Sequence, residues 1–175
     1  MTINGSSIRG ISRVLRVSTN TVLRLIRQAA KGVTEPVVPE RIADLELDEF
    51  WSFVGKKKQQ RWTWYAFDRQ RKQVTAFVNG RCTDKSCADL LKKLADSRVK
   101  QFHTDKWESY VKMLLEKNHV IGKEGTRNIE GHNLNFRTHV KRLQRRTICF
   151  SKSDEMHDAV LKLYVQHSNQ TQHHV

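Results

Sequence analysis

The stretch LELDEFWSFVG, residues 45–55, decides how this chain folds. Apolar and acidic side chains alternate along it, which is the pattern of a β-strand whose two faces meet different surroundings. Glu46 and Asp48 would share one face, and Leu47 and Glu49 would share the other. An acid in the middle of a strand is costly to bury unless it is paired or binds a metal. The stretch therefore predicts the first strand of a hairpin and makes Asp48 a candidate metal ligand.

Strands and helices continue on the C-terminal side of this stretch. Two further strands are predicted over residues 61–68 and 73–78, and their short basic links favour an antiparallel meander. The elements predicted after them are a helix over 85–95, a strand over 99–104, a helix over 107–117, a strand over 119–122, and helices over 129–146 and 154–166. The order βββ-α-β-α-β-α resembles the ribonuclease-H-like fold. We therefore expect the α/β class, with a mixed sheet flanked by helices.

A small all-α helix-turn-helix unit is predicted on the N-terminal side. IRGISRVLRVSTNTVLRLIR, residues 8–27, fits two helices joined by a tight turn, with Ser18 as the N-cap of the second. Arg16 lies in the turn where glycine is usual, which costs strain if that residue needs a positive φ. The exposed side chains of the second helix that could reach base edges or phosphates in a major groove are Thr19, Asn20, Thr21 and Arg24. The alternative is an amphipathic helix pair that only packs on the main domain.

The two prolines mark the division of the chain. Both lie in GVTEPVVPE, residues 32–40, a composition that indicates a linker. We assign residues 1–31 to the helix-turn-helix unit, 32–41 to the linker, 42–168 to a ribonuclease-H-like catalytic domain and 169–175 to a disordered tail.

The charge of the chain points to a polyanionic partner. Its 32 Lys and Arg outnumber its 18 Asp and Glu, for a net charge of +14. No segment approaches the ~18 consecutive apolar residues of a membrane span, and no signal peptide is recognisable. The three cysteines lack CxxC pairing and predict neither a disulfide framework nor a zinc site. We expect a cytoplasmic protein, nucleoid-associated when bound to DNA, with no membrane partner.

Three acidic residues lie where a metal-dependent phosphoryl-transfer site needs them. Asp48 is in the first strand, Asp105 follows a strand in VKQFHTDKWESY, and Glu130 opens a helix in NIEGHNL. Two divalent cations held by shared carboxylates can activate an attacking oxygen and stabilise a leaving one, and Mg²⁺ is commonly held in this way. Asp105 could instead simply cap the helix that begins near Trp107.

Other residues compete for roles at this site. Asp68 ends the second strand and could lie beside Asp48 as a metal ligand. Glu49 points to the other face of its strand, so we expect it to form a surface ion pair. His103 lies two residues before Asp105 and would share its face if the strand extends that far.

The predicted helix that Glu130 opens is rich in cations. Arg137 and Lys141 follow Glu130 at i+7 and i+11 and would lie along the same side of the helix. Phe136, Val140 and Leu143 would form its core stripe. The alternative is a solvated charged face, but the position of the cations after Glu130 favours contact with DNA backbone. The candidate DNA contacts of this region are Asn133, Arg137, Lys141, Arg142, Arg145 and Arg146.

Three segments of the chain together carry a family resemblance. LELDEFWSFVGKKKQQRWTWYAFDR, HTDKW and NIEGHNLNFRTHVKRLQRRTICFSKSDEMH resemble the DDE transposases of the insertion-sequence-one family, and NTVLR resembles that family's helix-turn-helix. The resemblance implies that Asp48, Asp105 and Glu130 are the DDE triad. It also implies a ribonuclease-H-like core and two Mg²⁺ ions, with Mn²⁺ as a substitute. Gly131 follows the glutamate where the family commonly carries Arg.

The same resemblance implies a function. We expect a DNA transposase that cleaves strands at the ends of an insertion element and transfers the 3′-OH into target DNA. Its partners would be double-stranded DNA, as terminal inverted repeats and target, and further copies of itself in a homodimer or larger assembly on DNA. The family has a cysteine-rich zinc element before the helix-turn-helix, which we expect this chain to lack. Alternatives are a non-catalytic DNA-binding regulator of the element and a metal-dependent nuclease on the same fold.

Overall fold

Strand β1, Arg41–Phe53, is the central strand of a five-stranded sheet with the order β3-β2-β1-β4-β5. The computed structural model describes residues 1–115 and 117–171. Strands β1, β2 and β3 pair antiparallel, β4 runs parallel to β1, and β5 runs parallel to β4. The other four strands are β2, Gln60–Asp68; β3, Gln73–Gly80; β4, Arg98–Thr104; and β5, His119–Ile121. This mixed sheet has the ribonuclease-H-like order, so the predicted α/β class is confirmed.

Helices cover both faces of the sheet. They are α1, Ile8–Leu15; α2, Thr19–Lys31; α3, Asp84–Lys93; α4, Glu108–Met113; α5, Arg127–His139; and α6, Asp154–Thr171. Short 3₁₀ turns at Lys123–Thr126 and Lys141–Leu143 lie on either side of α5. Across the described residues, no helix combines the length and apolar character needed to cross a membrane.

The alternation along β1 separates two hydrophobic cores. Leu45 and Leu47 pack on the face covered by α3 and α4, where Tyr110 is also buried. Phe50 packs on the opposite face with Phe136 of α5 and the buried side chains of α6. Because successive residues of a strand point to opposite faces, the pattern of the 45–55 stretch fits a strand covered on both sides.

The two N-terminal helices have the turn that the sequence predicts. Ser18 caps α2, since its hydroxyl oxygen accepts a hydrogen bond of 3.0 Å from the amide of Thr21. Arg16 ends α1 in the left-handed region, at φ 52° and ψ 39°. Val22 and Ile26 of α2 belong to the same buried cluster as Phe136. The helix pair therefore packs on the main domain, while other residues of α2 remain exposed.

The basic region after Glu130 is not one continuous helix, so the prediction of a helix over 129–146 is wrong beyond His139. Val140 leaves the helical region at φ −107° and ψ 94°, and a single 3₁₀ turn follows. This change of direction allows both Val140 and Leu143 to be fully buried in the core. The predicted alignment of Lys141 with Glu130 along one helix face is lost with it.

The predicted disordered tail, residues 169–175, is partly wrong as well. Residues 169–171 continue α6. The Asn169 side chain accepts a hydrogen bond of 2.9 Å from the amide of Val74 and donates one of 2.8 Å to its carbonyl oxygen. These two hydrogen bonds attach the end of α6 to the edge strand β3. Residues 172–175 lie outside the described part of the chain.

A buried histidine joins β1 to α6. His157 is fully buried, with its Nε2 3.1 Å from Ser52 Oγ and its Nδ1 3.1 Å from Ser151 Oγ. Burial lowers the pKa of His157 to about 3, and the charges of Arg142 and Arg61 act in the same direction. The imidazole is therefore neutral in the folded protein at every pH at which the chain is expected to work.

We predict that His157 makes the protein less stable as the pH falls. The unfolded chain takes up this proton near pH 6.5, whereas the folded chain takes it up only near pH 3. Between those values the unfolded state binds more protons, so the free energy of unfolding should fall by up to ~1.4 kcal/mol per pH unit. Urea denaturation at a series of pH values from 7 to 4.5 measures this. The His157→Gln variant should show a correspondingly shallower dependence, and equal slopes would contradict the prediction.

Candidate active site

Three carboxylates meet beside the part of the central strand that extends past its pairing with β4. Asp48 and Glu49 of β1 and Asp105, which follows β4, each place a carboxylate oxygen within 4.8 Å of the other two. Strands β1 and β4 pair only as far as Glu46, which lies opposite His103. Beyond that point β1 continues to Phe53, and no described strand pairs with it on this side. We call Asp48, Glu49 and Asp105 the acidic cluster.

Hydrogen bonds hold the two aspartates of the cluster in place. Asp48 accepts one from the amide of Glu49 at 2.8 Å and one from the side-chain nitrogen of Asn133 at 2.6 Å. The hydroxyl of Tyr65 in turn donates to the Asn133 side-chain oxygen at 2.9 Å. Asp105 accepts a hydrogen bond of 2.9 Å from the amide of Trp107. Asp105 therefore stabilises the turn before α4 and also belongs to the acidic cluster, while its role as a metal ligand stays a prediction.

Burial and mutual repulsion make the acidic cluster poorly suited to carry three negative charges. Loss of hydration raises the pKa of Asp48 to about 6, and the charges of Asp105 and Glu130 contribute to the rise. Loss of hydration, with the charges of Asp48 and Asp105, raises the pKa of Glu49 to about 8. Within residues 1–115 and 117–171, no ion pair joins any of the three to a basic side chain. Oxygen ligands of this kind suit a hard divalent cation.

Glu49 is the residue of the cluster that the sequence did not predict. The expected surface ion pair is wrong: the carboxylate is directed to Asp48 and Asp105, and its Oε2 is buried without a hydrogen-bond partner among the described residues. The nearby Tyr110 hydroxyl opposes the rise in pKa without reaching hydrogen-bond geometry. Because β4 no longer covers this part of β1, side chains from both faces of the strand approach the same edge.

Glu130 lies near the acidic cluster but outside it. It is exposed on α5, one turn before Asn133, and its charge contributes to the raised pKa of Asp48. A side chain added at Gly131 would meet no atom within 4 Å among the described residues, so packing does not require glycine there. A pocket of about 340 Å³, the active-site pocket, is lined by Glu49, Phe50, Trp51, Trp62, Glu130, Asn133, Arg137 and Arg145.

A buried glutamate sets the position of α5 and was not singled out from the sequence. Glu46 is fully buried, and its Oε2 accepts a hydrogen bond of 2.8 Å from the amide of Ile129 in the first turn of α5. Its Oε1 accepts from Asn128 Nδ2 at 2.7 Å and from Arg69 Nε at 2.8 Å. Glu46 shares the strand face of Asp48, and that alternation was the available signal. The carboxylate fixes the first turn of the helix that carries Glu130.

Two other candidates are placed elsewhere. Asp68 is buried and accepts hydrogen bonds from the amides of Gln70 and Arg71, with the Arg71 guanidinium at 2.7 Å, so it organises the turn between β2 and β3. The proposal that it is a metal ligand is therefore wrong. His103 lies 2.8 Å from Asp44 through Nε2 and is not part of the acidic cluster.

The candidate DNA contacts of α2 lie in its first two turns. Thr19, Asn20 and Arg24 are exposed and therefore accessible, and their contact with DNA stays a prediction. Thr21 is half-buried, and its hydroxyl lies 2.9 Å from that of Ser18, so this hydroxyl takes part in the helix cap.

The candidate contacts of the basic region differ in their surroundings: some line the active-site pocket, one is buried in the core, and two lie outside both. Arg137 and Arg145 line the pocket, where their guanidinium groups lie 5.7 Å from the ring centres of Phe50 and Trp51 respectively. Burial, the largest effect, and the charge of Arg145 lower the pKa of Arg137. Arg146 is exposed and Lys141 is half-buried.

Two members of that set have structural roles. Arg142 is buried and donates hydrogen bonds to Ser151 Oγ at 3.0 Å and to the Met156 carbonyl, so the prediction that it contacts DNA is wrong. It was predicted on a helix surface, and the turn after Val140 carries it inward instead. The side-chain oxygen of Asn133 accepts a hydrogen bond from Tyr65, and its side-chain nitrogen donates one to Asp48. Its contact with DNA stays a prediction.

Known proteins show similarity to most of this chain. Residues 42–171, which include all three predicted acids, match the family described as IS1 transposase. The chain is 46% identical over 120 residues to the Insertion element IS1 protein InsB of Shigella flexneri, covering 69% of this chain and 92% of that protein. It is 43% identical over 137 residues to the Insertion element IS1 2 protein InsB of Escherichia coli strain K12, covering 77% of this chain and 82% of that protein.

A solved structure also aligns with the chain over most of its length. It is the simian T-cell lymphotropic virus intasome in complex with PP2A regulatory subunit B56 gamma. The TM-score is 0.44 and the sequence identity 13%, with 99% of this chain and 70% of that chain covered.

The buried carboxylate of Glu46 generates a prediction about stability. Glu46→Gln should lower the free energy of unfolding by about 3 kcal/mol, because the change leaves Arg69 without its buried partner and places an amide among hydrogen-bond donors. Urea denaturation measures the difference. Glu40→Gln is the matched control, since Glu40 is exposed just before β1, and it should change stability by less than ~0.5 kcal/mol. Equal stability of the two variants would show that the Glu46 network does not hold α5.

Proposed function

The chain belongs to the IS1 transposase family, and from that premise we propose that it is a DDE-type enzyme that cleaves DNA at the ends of an insertion element and joins them to target DNA. The observation that carries the proposal is the acidic cluster at the uncovered edge of β1, next to a pocket that Glu130 shares with Arg137 and Arg145. Carboxylates that repel one another and cations that attract phosphate lie side by side there. An enzyme that cleaves a phosphodiester with divalent cations needs carboxylates to bind the metal and positively charged side chains to bind the phosphates.

We assign the DDE triad to Asp48, Asp105 and Glu130, with Mg²⁺ as the physiological metal and Mn²⁺ as a substitute. Two such ions, when bound, would activate the attacking oxygen and stabilise the leaving oxygen. The donor set fits them, because it consists of carboxylate oxygens that lie close together. Burial is the main reason that the pKa values of Asp48 and Glu49 are raised, and the charges of neighbouring carboxylates add to it. Glu49, as the third member of the cluster, is a further candidate ligand.

Neighbouring residues would keep these carboxylates in position. Asn133 donates to one oxygen of Asp48 and is itself oriented by Tyr65, so it restricts the rotation of the aspartate. The Trp107 amide restricts Asp105 in the same way. Fixed orientation matters because a ligand that must reorganise during the reaction loses part of its electrostatic effect.

Arg137 and Arg145 would bind the phosphates on either side of the scissile bond. Water would attack the phosphorus at the element's end, and the bond from phosphorus to the 3′ oxygen would break, leaving a 3′-OH. That hydroxyl would then attack a phosphodiester of target DNA and displace its 3′ oxygen. Each step exchanges one ester bond directly, so no serine, tyrosine or cysteine nucleophile is needed.

The DNA partner would be held by two surfaces. We propose that α2 selects the terminal inverted repeats through Thr19, Asn20 and Arg24, and that the basic residues around the active-site pocket contact backbone without regard to sequence. The excess of positive charge, +14 overall, favours such contacts.

Joining two ends of one element would need at least two copies of the chain, so we propose a homodimer or larger assembly on DNA.

Loss of one cluster carboxylate should separate chemistry from binding. We predict that Asp105→Asn abolishes Mg²⁺-dependent cleavage but leaves DNA affinity equal or higher, because it removes a metal ligand and also a negative charge facing phosphate. A labelled duplex carrying an element end reports cleavage on a gel and affinity by fluorescence anisotropy. Asp96→Asn, at an exposed aspartate, is the control and should keep full activity.

Full Mg²⁺-dependent joining by Asp105→Asn would refute the DDE assignment. A wild-type protein that binds element ends without cutting them would be the non-catalytic regulator, and one that cuts without joining would be a nuclease.

The recognition surface of α2 should behave in the opposite way. We predict that Arg24→Ala weakens selection of element ends by ~1–3 kcal/mol if the side chain contacts a base, and leaves cleavage of pre-bound DNA unchanged. Competition of specific against random duplex in the same binding assay measures selection. Lys31→Ala is the charge-matched control at the other end of α2, where Lys31 is also exposed. If both variants lost selection equally, the effect of Arg24→Ala would come from the loss of a positive charge and not from the loss of a contact with a base.

A further inference from the structure

A second, larger cavity adjoins the active-site pocket through a shared tryptophan. It has a volume of about 650 Å³ and lies between the β1–β2 turn, the end of β3 and the segment before α6. Trp62 lines both this cavity and the active-site pocket, where Trp51 is its cross-strand partner. We call it the basic groove; the lining side chains used below are Lys58, Arg61, Trp62, Arg81, Lys152 and Asp154.

Three cations of the basic groove are available to a ligand. Lys58, Arg81 and Lys152 are exposed, and within the described residues none of them forms an ion pair. They come from three separate segments of the chain, so their convergence is a product of the fold. Lys56 and Lys57, also exposed, extend the same charge along the β1–β2 turn.

The remaining charges of the groove cancel one another. Arg61 donates hydrogen bonds to Asp158 at 2.8 Å and to Asp154 at 3.1 Å, and the hydrogen bond to Asp158 is the main reason that its pKa is raised. The carboxylate of Asp154 is thereby paired with Arg61, although its side chain is exposed. The groove consequently faces outward with a net positive charge, and an anion entering it meets no unpaired lining carboxylate.

The walls of the groove are fixed relative to each other. Gly55 adopts φ 73°, and its amide donates a hydrogen bond of 2.8 Å to the Ser151 carbonyl. Val54 forms a β-bridge with the same residue. The turn is closed by a hydrogen bond of 3.1 Å from the Val54 amide to the Gln59 carbonyl. The turn that carries Lys58 is therefore attached next to the segment that carries Lys152.

We propose that the basic groove binds the phosphodiester backbone of a DNA strand where that strand passes Trp62 on its way from the active-site pocket. The strand's phosphates would meet Lys58, Arg81 and Lys152, and the half-exposed indole would offer a face for stacking with a base. This rests on the proposed function, which places a scissile phosphate in the adjoining pocket. The strand belongs either to the DNA flanking the element or to the target duplex, and both present the same chemistry.

The salt dependence of binding tests the groove. The Lys58→Gln/Arg81→Gln/Lys152→Gln variant should have a slope of log affinity against log salt that is smaller by ~0.9 for each lost phosphate contact. Fluorescence anisotropy with a random-sequence duplex measures it. The control is Arg41→Gln/Arg98→Gln/Lys100→Gln, which removes the same charge from exposed residues at the opposite end of β1 and its neighbour β4. Equal slopes of the two triple variants would overturn the proposal.

The two sources of the strand are distinguished by the DNA substrate. If flanking DNA occupies the groove, the groove variant should lose cleavage of an uncut end and keep joining of a pre-cut end. If target DNA occupies it, cleavage should persist and joining of a pre-cut end should fall. If the groove variant kept cleavage, joining and the wild-type slope of log affinity against log salt, neither flanking DNA nor target DNA would occupy the groove.

Failure of the proposed function would look different. A wild-type protein without metal-dependent cutting or joining on any substrate would remove the transposase assignment, while the salt slopes would still decide whether the groove contacts phosphate.

Because the three side chains are exposed, thermal unfolding of the variant should match the wild type. The single Lys58→Gln change should give about a third of the triple variant's effect on the slope if the three contacts are independent.

Discussion

The buried carboxylate of Glu46 is the constraint on which the geometry of the candidate active site depends. It lies in the central strand and accepts hydrogen bonds from the first turn of α5 and from Arg69. A buried acid is tolerated only when its oxygens are satisfied, so strand and helix must stay in this register for the charge to be stable. The strand carries Asp48 two residues further on. The helix carries Glu130 and Asn133 within its next turn, so the hydrogen bonds to Glu46 hold these two residues at a fixed distance from the strand.

The sheet topology explains why the acids gather at one place. Later strands are added on one side of β1 as far as β3 and then on its other side from β4 onward. β1 pairs antiparallel with β2 on the first side and parallel with β4 on the second. Ligand sites of open α/β sheets form beyond the carboxyl ends of the strands at such a point. β4 ends at Thr104 while β1 continues to Phe53. Asp105 therefore arrives beside a stretch of β1 that pairs with β2 on one side and extends beyond the last residue pair with β4 on the other.

Much of this could be predicted from local pattern, and the errors have a common cause. The alternation along β1, the turn at Arg16 and the cap at Ser18 are properties of a few consecutive residues, and all are confirmed. Glu49 was misplaced because strand periodicity assigns faces but does not show where a neighbouring strand ends. Arg142 was misplaced because a basic run looks solvated, whereas the backbone turn at Val140 buries it. Contacts between distant segments decided both cases.

The acidic cluster has the energetics of a site built for a ligand rather than for stability. Loss of hydration on burial, together with the charges of neighbouring carboxylates, raises the pKa of Asp48 to about 6 and that of Glu49 to about 8, so the fold disfavours the charged form of both groups. An ordinary surface would relieve the repulsion with a lysine or arginine, of which this chain has 32. Instead, Arg137 and Arg145 line the adjoining pocket, and no ion pair among the described residues joins either of them to the cluster. Because strain of this kind persists only where the surrounding structure holds it, the cluster needs the rigid support that Glu46 and Asn133 provide. A divalent cation would convert that repulsion into binding free energy, and the unpaired cations nearby would remain available for the phosphates of DNA.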